Sequence, residues 1–113
     1  MNCEAEELVS CNFFAEVASE DEARRVADEL VKIVQGLGLT KIQEVKKYWK
    51  IPRYFLVSCD LMPQENSETC ILELAERLGV GWEKVGDAYI WVPTEKNQFS
   101  CVEIRWASLE KIF

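Results

Sequence analysis

The hydrophobic residues of this chain follow two periods, one helical and one strand-like, and their order predicts its architecture. The most regular stretch has apolar residues at three- and four-residue steps, which predicts a helix over residues 20–35. Ser19 and Glu22 have capping-box spacing at its start, and Gly36 follows its end.

The same spacing predicts a second helix over residues 67–78, capped by Asn66 or Ser67 and ended by Gly79. Runs of β-branched and aromatic residues predict the strands. Residues 40–51 also suit a helix face, but their β-formers and the following proline favour a strand. The predicted strands are 11–19, 40–51, 54–62, 84–92 and 100–108.

The predicted order of elements is therefore β-α-β-β-α-β-β in one domain, residues 1–113. This order predicts an α+β fold, with a mainly antiparallel sheet and two helices packed on one of its faces. A ferredoxin-like core with an extra strand is one arrangement of that order.

Composition is typical of a folded domain, because 49% of the 113 residues are hydrophobic and 29% are charged. The apolar runs are too short to span a bilayer, and the acidic N-terminal segment lacks the positive charge of a signal peptide. Five cysteines without a CxxC pair fit a reducing compartment. We therefore expect a cytoplasmic protein with no membrane contact, in which Cys59, Cys70 and Cys101 are buried.

The charge pattern bears on possible partners. Lysine and arginine total 13 against 20 aspartates and glutamates, which gives a net charge of −7. This balance disfavours nucleic acid as a ligand and favours a basic protein partner. Residues 45–55 are locally basic, and RNA binding there remains a weaker alternative. Its cations and aromatic residues are Lys46, Lys47, Lys50, Arg53, Tyr48, Trp49 and Tyr54.

The residues needed for common catalytic sites are missing. The chain has no histidine, so the commonest general base and metal ligand are absent, and no phosphate-binding glycine loop occurs. Carboxylates at helical spacing opposite an apolar stripe are typical of a solvated face. Asp60 ends a strongly apolar strand, where it would satisfy a turn or cap the next helix. We therefore predict a protein that is not an enzyme and that uses no metal or cofactor.

Strict alternation along the last two predicted strands assigns their side chains to two faces. In one interpretation Ala88 and Ile90 face the helices and Trp106 is core. The outer face then mixes aromatic and charged residues, either as an ordinary solvated face or as a recognition surface. The predicted partner-binding residues are Asp87, Tyr89, Trp91, Glu103 and Arg105, with Asp60 and Glu95 as neighbours.

The stretch GWEKVGDAYIWVPTEKNQFSCVEIRWASLE resembles the C-terminal part of small bacterial immunity proteins, which are encoded beside polymorphic or contact-dependent growth-inhibition toxins. The resemblance covers about the last quarter of the chain. It implies a cytoplasmic protein that neutralises one cognate toxin, often a nuclease, by direct contact. The matching residues are Trp82, Gly86, Asp87, Ala88, Ile90, Trp91, Pro93, Phe99, Val102, Arg105, Trp106 and Ala107.

A different class of function also fits the sequence. A small regulatory or ligand-binding α+β domain would associate as a homodimer through its sheet, with the Tyr89 and Trp91 face between the subunits. Behaviour in isolation separates the two hypotheses, because an antidote needs a toxin partner whereas such a domain forms a stable dimer alone.

Overall fold

The computed structural model of the chain describes residues 8–64 and 66–112. Two α-helices and one large sheet make up most of the fold, and a 3₁₀ turn over Gln35–Leu37 follows the first helix. The helices are α1 (Glu20–Val34) and α2 (Ser67–Leu78), and the strands are β1 (Leu8–Glu16), β2 (Gly38–Lys47), β3 (Tyr54–Pro63), β4 (Gly79–Val80), β5 (Glu83–Val85), β6 (Ala88–Trp91), β7 (Gln98–Phe99) and β8 (Ile104–Ile112).

Six strands form an antiparallel sheet in the order β2-β3-β1-β8-β6-β5. Four neighbouring strands of this sheet, β2, β3, β1 and β8, have the ferredoxin-like topology. Helix α1 connects β1 to β2, and α2 lies between β3 and β8 in the chain. The β5–β6 hairpin is inserted between α2 and β8 and extends the sheet beyond β8. Strands β4 and β7 form a separate two-stranded pair. The predicted α+β fold with a mainly antiparallel sheet is thus confirmed.

Capping side chains fix the first residues of both helices at the predicted positions. Ser19 Oγ accepts a hydrogen bond from the backbone N–H of Glu22 at 3.2 Å, and the Glu22 carboxylate accepts one from the Ala18 N–H at 3.0 Å. Asn66 Oδ1 accepts the Thr69 N–H at 2.8 Å and caps α2. Each cap satisfies backbone donors that have no partner within the helix.

Both helices pack on one face of the sheet, and the core lies between the two layers. Side chains of β1 and β3 alternate between buried and half-buried, as expected when only one face is covered. The predicted burial of Cys59, Cys70 and Cys101 is confirmed, and Cys11 is buried with them. We call the other side of the sheet, which neither helix covers, the open face.

The strands predicted over 40–51 and 54–62 are confirmed. The first strand, predicted over 11–19, is β1 and ends at Glu16, and the last two predicted strands need correction. Residues 40–51 lie mostly in β2, and β3 spans the predicted 54–62. The strand predicted over 84–92 is a hairpin, because Gly86 takes a φ of +63° and reverses the chain between β5 and β6. The strand predicted over 100–108 begins only at Ile104, since the Ile104 N–H donates to the Cys101 carbonyl in a turn.

The face assignment of the last two strands is wrong, and a β-bulge is the reason. In the β1–β8 ladder Phe14 pairs with Trp106 and Ala15 with Ile104, so Arg105 is an extra residue. Ile104 is therefore buried under the helices while Trp106 lies on the open face. Strict alternation had put both on one face.

The two faces of strand β6 are also exchanged relative to the prediction. Trp91 pairs with buried Ala107, and Tyr89 pairs with buried Leu109, so both aromatic side chains point to the helix side. Trp91 is only 3% exposed and its indole N–H donates to the Val80 carbonyl at 2.9 Å. Ile90 lies on the open face instead.

Candidate binding face of the sheet

The seven residues predicted from the sequence do not form one surface. Trp91 is core, and half-buried Tyr89 packs against the core with the Lys84 ammonium 5.8 Å from its ring centre. Asp87 and Glu95 are exposed in separate loops. Of the two remaining members of the predicted central set, Glu103 lies in the turn before β8 and Arg105 is the second residue of β8.

Asp60 does not end its strand, which is a second correction. Strand β3 continues to Pro63, and Asp60 lies inside it between Ser10 of β1 and Lys41 of β2. It alternates with buried Cys59 and Leu61, so its carboxylate is on the open face. Asp60 is therefore neither a turn residue nor a helix cap, and it belongs to the surface of the open sheet face.

Four aromatic side chains meet on the open face and form what we call the aromatic cluster: Phe14, Tyr48, Tyr54 and Trp106. Phe14 is at the centre, with ring centres of Tyr48, Trp106 and Tyr54 at 4.6, 5.3 and 6.4 Å. All four are half-buried. Trp49 continues the cluster, since its ring centre is 6.3 Å from that of Tyr48 and its side chain is 78% exposed.

The β2–β3 turn brings the cluster together. The Tyr54 N–H donates to the Ile51 carbonyl at 2.9 Å, and the Tyr48 N–H donates to the Tyr54 carbonyl at 2.8 Å. These bonds close the hairpin so that Tyr48 and Tyr54 lie side by side. Tyr54 is paired with Glu16 of β1, next to Phe14. Three central strands and one tight turn therefore hold the rings, which limits the entropy that they lose on binding.

Positive charge surrounds the aromatic cluster. The Glu16 carboxylate lies between two arginines, with Arg53 Nε at 3.3 Å and Arg105 Nε at 3.0 Å. Arg105 is held further by a bond from Nη1 to the Val102 carbonyl at 2.7 Å. The Lys50 ammonium is 5.2 Å from the Trp49 ring centre. This end of the open face thus combines exposed rings with cations, although the chain as a whole is acidic.

The other end of the open face has the opposite sign. Glu110 of β8 is exposed, and Asp60 lies on β3 in the same half of the sheet, with Lys41 beside it on β2. Between the two ends is a polar stripe in which Ser58 Oγ donates to Asn12 Oδ1 at 2.8 Å. The open face is therefore basic and aromatic at one end and acidic at the other.

The helix layer also carries negative charge. Helices α1 and α2 carry eight carboxylates against four cations. Three of those cations are in ion pairs within a helix, which are Arg24–Glu20, Arg25–Glu22 and Arg77–Glu73. These pairs are solvent-exposed and contribute little to stability. The helix layer is an acidic, solvated surface on the side opposite the aromatic cluster.

Sequence reasoning singled out Tyr48, Trp49 and Tyr54 but missed Phe14 and Trp106. The adjacent pair Phe13–Phe14 held the missing signal, because neighbouring residues of a strand point to opposite faces. With Phe13 buried, Phe14 has to lie on the other face. The face of Trp106 could not be predicted in this way, since it depends on the bulge.

A groove of about 400 Å³ opens between the loop after β6 and the turn before β8. Its lining includes Trp91, Phe99, Ile104 and Arg105, and none of its lining residues is a carboxylate. Cys101 lies at its wall, where burial, followed by the nearby Glu29 carboxylate, raises the pKa of the thiol. A thiol nucleophile needs a lowered pKa, so the raised pKa of Cys101 does not favour that role.

The thiols of Cys11 and Cys101 should react slowly in the folded protein. The neighbouring Cys59 thiol and then burial raise the pKa of Cys11 well above its usual value, and burial also raises the pKa of Cys101. Less thiolate is then present at pH 8, so we expect iodoacetamide to label both at least about tenfold more slowly than in urea. Peptide mass mapping over time measures the rates. Equal labelling of Cys11 before and after unfolding would contradict its burial.

Comparison with known proteins adds no identification: no family model, no curated protein and no solved structure matches the chain. Among residues 8–64 and 66–112, no group of three or more cysteine or acidic side chains is placed to hold a metal ion. No helix in that part of the chain has the length and apolar character needed to cross a bilayer.

Proposed function

We propose that this protein acts by binding another protein through its open face, and that its specific role is that of a cytoplasmic immunity protein for one toxin. The observation that carries the binding proposal is the aromatic cluster, with the 78% exposed Trp49 beside it. A sheet face that exposes tryptophan, tyrosine and arginine together has the composition of an interface hot spot.

The geometry favours binding of a large partner. Large apolar rings on a rigid sheet offer contact area while losing little conformational entropy on binding. The arginines at their border supply hydrogen bonds. Arg53 and Arg105 already share Glu16, so a partner group meets a preorganised ion-pair network. A flat or convex protein surface fits such a face better than a small ligand, which needs a concave site.

The resemblance to immunity proteins supports the specific role, and four of its matching residues, Trp82, Trp91, Phe99 and Ala107, lie in or against the core. Phe99 packs between two tryptophans, with ring centres 5.9 Å from Trp82 and 4.8 Å from Trp91. Those residues attach the inserted hairpin to the core. Arg105 and Trp106 are the matching residues that border or belong to the aromatic cluster.

The charges of the open face specify the partner more closely. Net charge of −7 attracts a basic protein at long range. At contact, the partner patch over the aromatic cluster should carry carboxylates, because Lys50, Arg53 and Arg105 are there. A nucleic acid fits less well, since its phosphates would run past Glu16 and into the acidic end of the face.

The test uses the toxin domain that the resemblance places beside this protein in the genome. We expect stoichiometric binding by titration calorimetry, together with loss of toxin activity. Substituting Trp49→Ala should weaken binding about 30-fold, which corresponds to a hot-spot loss of about 2 kcal/mol. Leu72→Ala is the matched control, because Leu72 is 56% exposed on α2, in the helix layer.

Two results would contradict the proposal in different ways. If Leu72→Ala weakens binding and Trp49→Ala does not, the contact surface is the helix layer and the open face is not used. If the wild-type protein neither binds the toxin domain nor protects against it, the immunity role is wrong. Binding of a single-stranded oligonucleotide with loss in Trp49→Ala would instead favour the RNA alternative.

A further inference from the structure

The open face is complementary in charge to a copy of itself. Its aromatic end carries Lys50, Arg53 and Arg105 around Glu16, and its opposite end carries Asp60 and Glu110 with Lys41. The two ends lie at opposite ends of the same strands. When two such faces meet with their strands antiparallel, each basic end lies over the acidic end of the other copy.

We infer that the free protein is a homodimer in which two open faces pack on each other in this antiparallel orientation. A twofold axis perpendicular to the strands and parallel to the sheets generates it, as in an isologous interface. Each aromatic cluster is then covered by the distal half of the other sheet, where Met62 is 40% exposed. Both helix layers point outward.

The area available is close to what a stable dimer requires. A strand of nine residues such as β1 is about 30 Å long, and the four long strands together span about 19 Å across the sheet. Adding β6 and the relief of the side chains brings the face toward ~800 Å² per partner, the size of a standard interface. Two sheets packed face to face are also a common protein architecture.

The polar stripe at the centre of the face is compatible with burial. Ser58 Oγ donates to Asn12 Oδ1, and Asn12 Nδ2 donates to Ser10 Oγ at 3.4 Å. These groups therefore keep hydrogen bonds within one subunit when water is excluded, which limits the cost of burying them. The basic and acidic ends then fix the orientation, since a parallel arrangement would place like charges together.

The dimer has a consequence for the proposed function. A toxin that uses the open face has to displace the second copy, so dimerisation and toxin binding are mutually exclusive. This consequence rests on the proposed function, whereas the dimer itself is tested with this protein alone. Failure of one therefore leaves the other standing.

Sedimentation equilibrium with two charge-reversed variants tests the dimer. The first reverses the basic end (Lys50→Glu with Arg53→Glu) and the second changes the acidic end (Asp60→Asn with Glu110→Lys). We expect a wild-type dimer at about 100 μM, and at least tenfold weaker self-association of each variant. An equimolar mixture of the two variants should form a heterodimer, because both of its contacts again join opposite charges.

Arg25→Glu with Lys32→Glu on α1 is a control with the same change in net charge as the first variant. It should dimerise like the wild type. Circular dichroism shows whether each variant is folded. A wild-type protein that stays monomeric at this concentration overturns the inference. So does a dimer that the control weakens as much as the first variant, or a mixture of the two variants that fails to associate.

Discussion

Replacing Trp91 by alanine is expected to lower the free energy of unfolding by about 3–5 kcal/mol, the usual loss for a buried large aromatic side chain. Trp91 is 3% exposed, packs edge-on against Phe99 with ring centres at 4.8 Å, and donates its indole N–H to the Val80 carbonyl. Truncation would leave a cavity under the helices and remove the indole hydrogen bond to the Val80 carbonyl. It would also detach β6 from the short β4 strand.

Urea denaturation followed by circular dichroism measures this loss without depending on tryptophan fluorescence. Trp49→Ala is the matched control, since a 78% exposed side chain that caps no element should change stability by no more than about 0.5 kcal/mol. The two tryptophans thus differ in place, since Trp91 is in the core and Trp49 is on the surface. A Trp49 variant less stable than the Trp91 variant would contradict the assignment of Trp91 to the core and of Trp49 to the surface.

Substituting Gly38→Ala is expected to destabilise the protein by about 3 kcal/mol or more, because backbone atoms would have to move to make room. Gly38 starts β2 opposite Pro63 of β3. A Cβ at this position would lie 2.1 Å from the Met62 carbonyl oxygen, where no side-chain adjustment relieves the contact. The β2–β3 pairing that positions Tyr48 and Tyr54 would be disturbed at its far end.

Gly86→Ala is the control that distinguishes the steric clash at Gly38 from the cost of losing a glycine's backbone freedom. Gly86 has a φ of +63°, but a Cβ there meets nothing within 4 Å. Its cost should be limited to the left-handed backbone conformation, about 1–2 kcal/mol. Thermal or urea unfolding compares the two variants. Equal losses at both glycines would mean that backbone conformation alone, and not the close approach of β2 to β3, decides the effect.

The aromatic cluster depends on the topology more than on any one strand. Phe14 comes from β1, Tyr54 from β3 and Trp106 from β8, and the sheet order places β1 between the other two. Both connections that carry a helix cross the same face of the sheet, which leaves the rings on the other face exposed. The fold thus assembles the aromatic cluster from residues that are far apart in the sequence.

The sequence by itself determined the elements whose causes are local. Helix α2 was predicted with its bounds, and α1 to within one residue, because capping side chains and apolar spacing act within a few residues. The α+β class and the central strand β3 followed from the same patterns. Burial of the cysteines inside apolar runs was also predictable from their neighbours.

Only the tertiary structure decided which side chains of the last strands face outward. Arg105 is an extra residue because β8 pairs with β1, which lies at the other end of the chain, and no pattern within β8 reveals that partner. The bulge places Trp106 on the open face, while the pairing of β6 with β8 places Trp91 in the core. Because a shift of one residue exchanges the faces of a strand, the side chains of the open face could not be read from alternation alone.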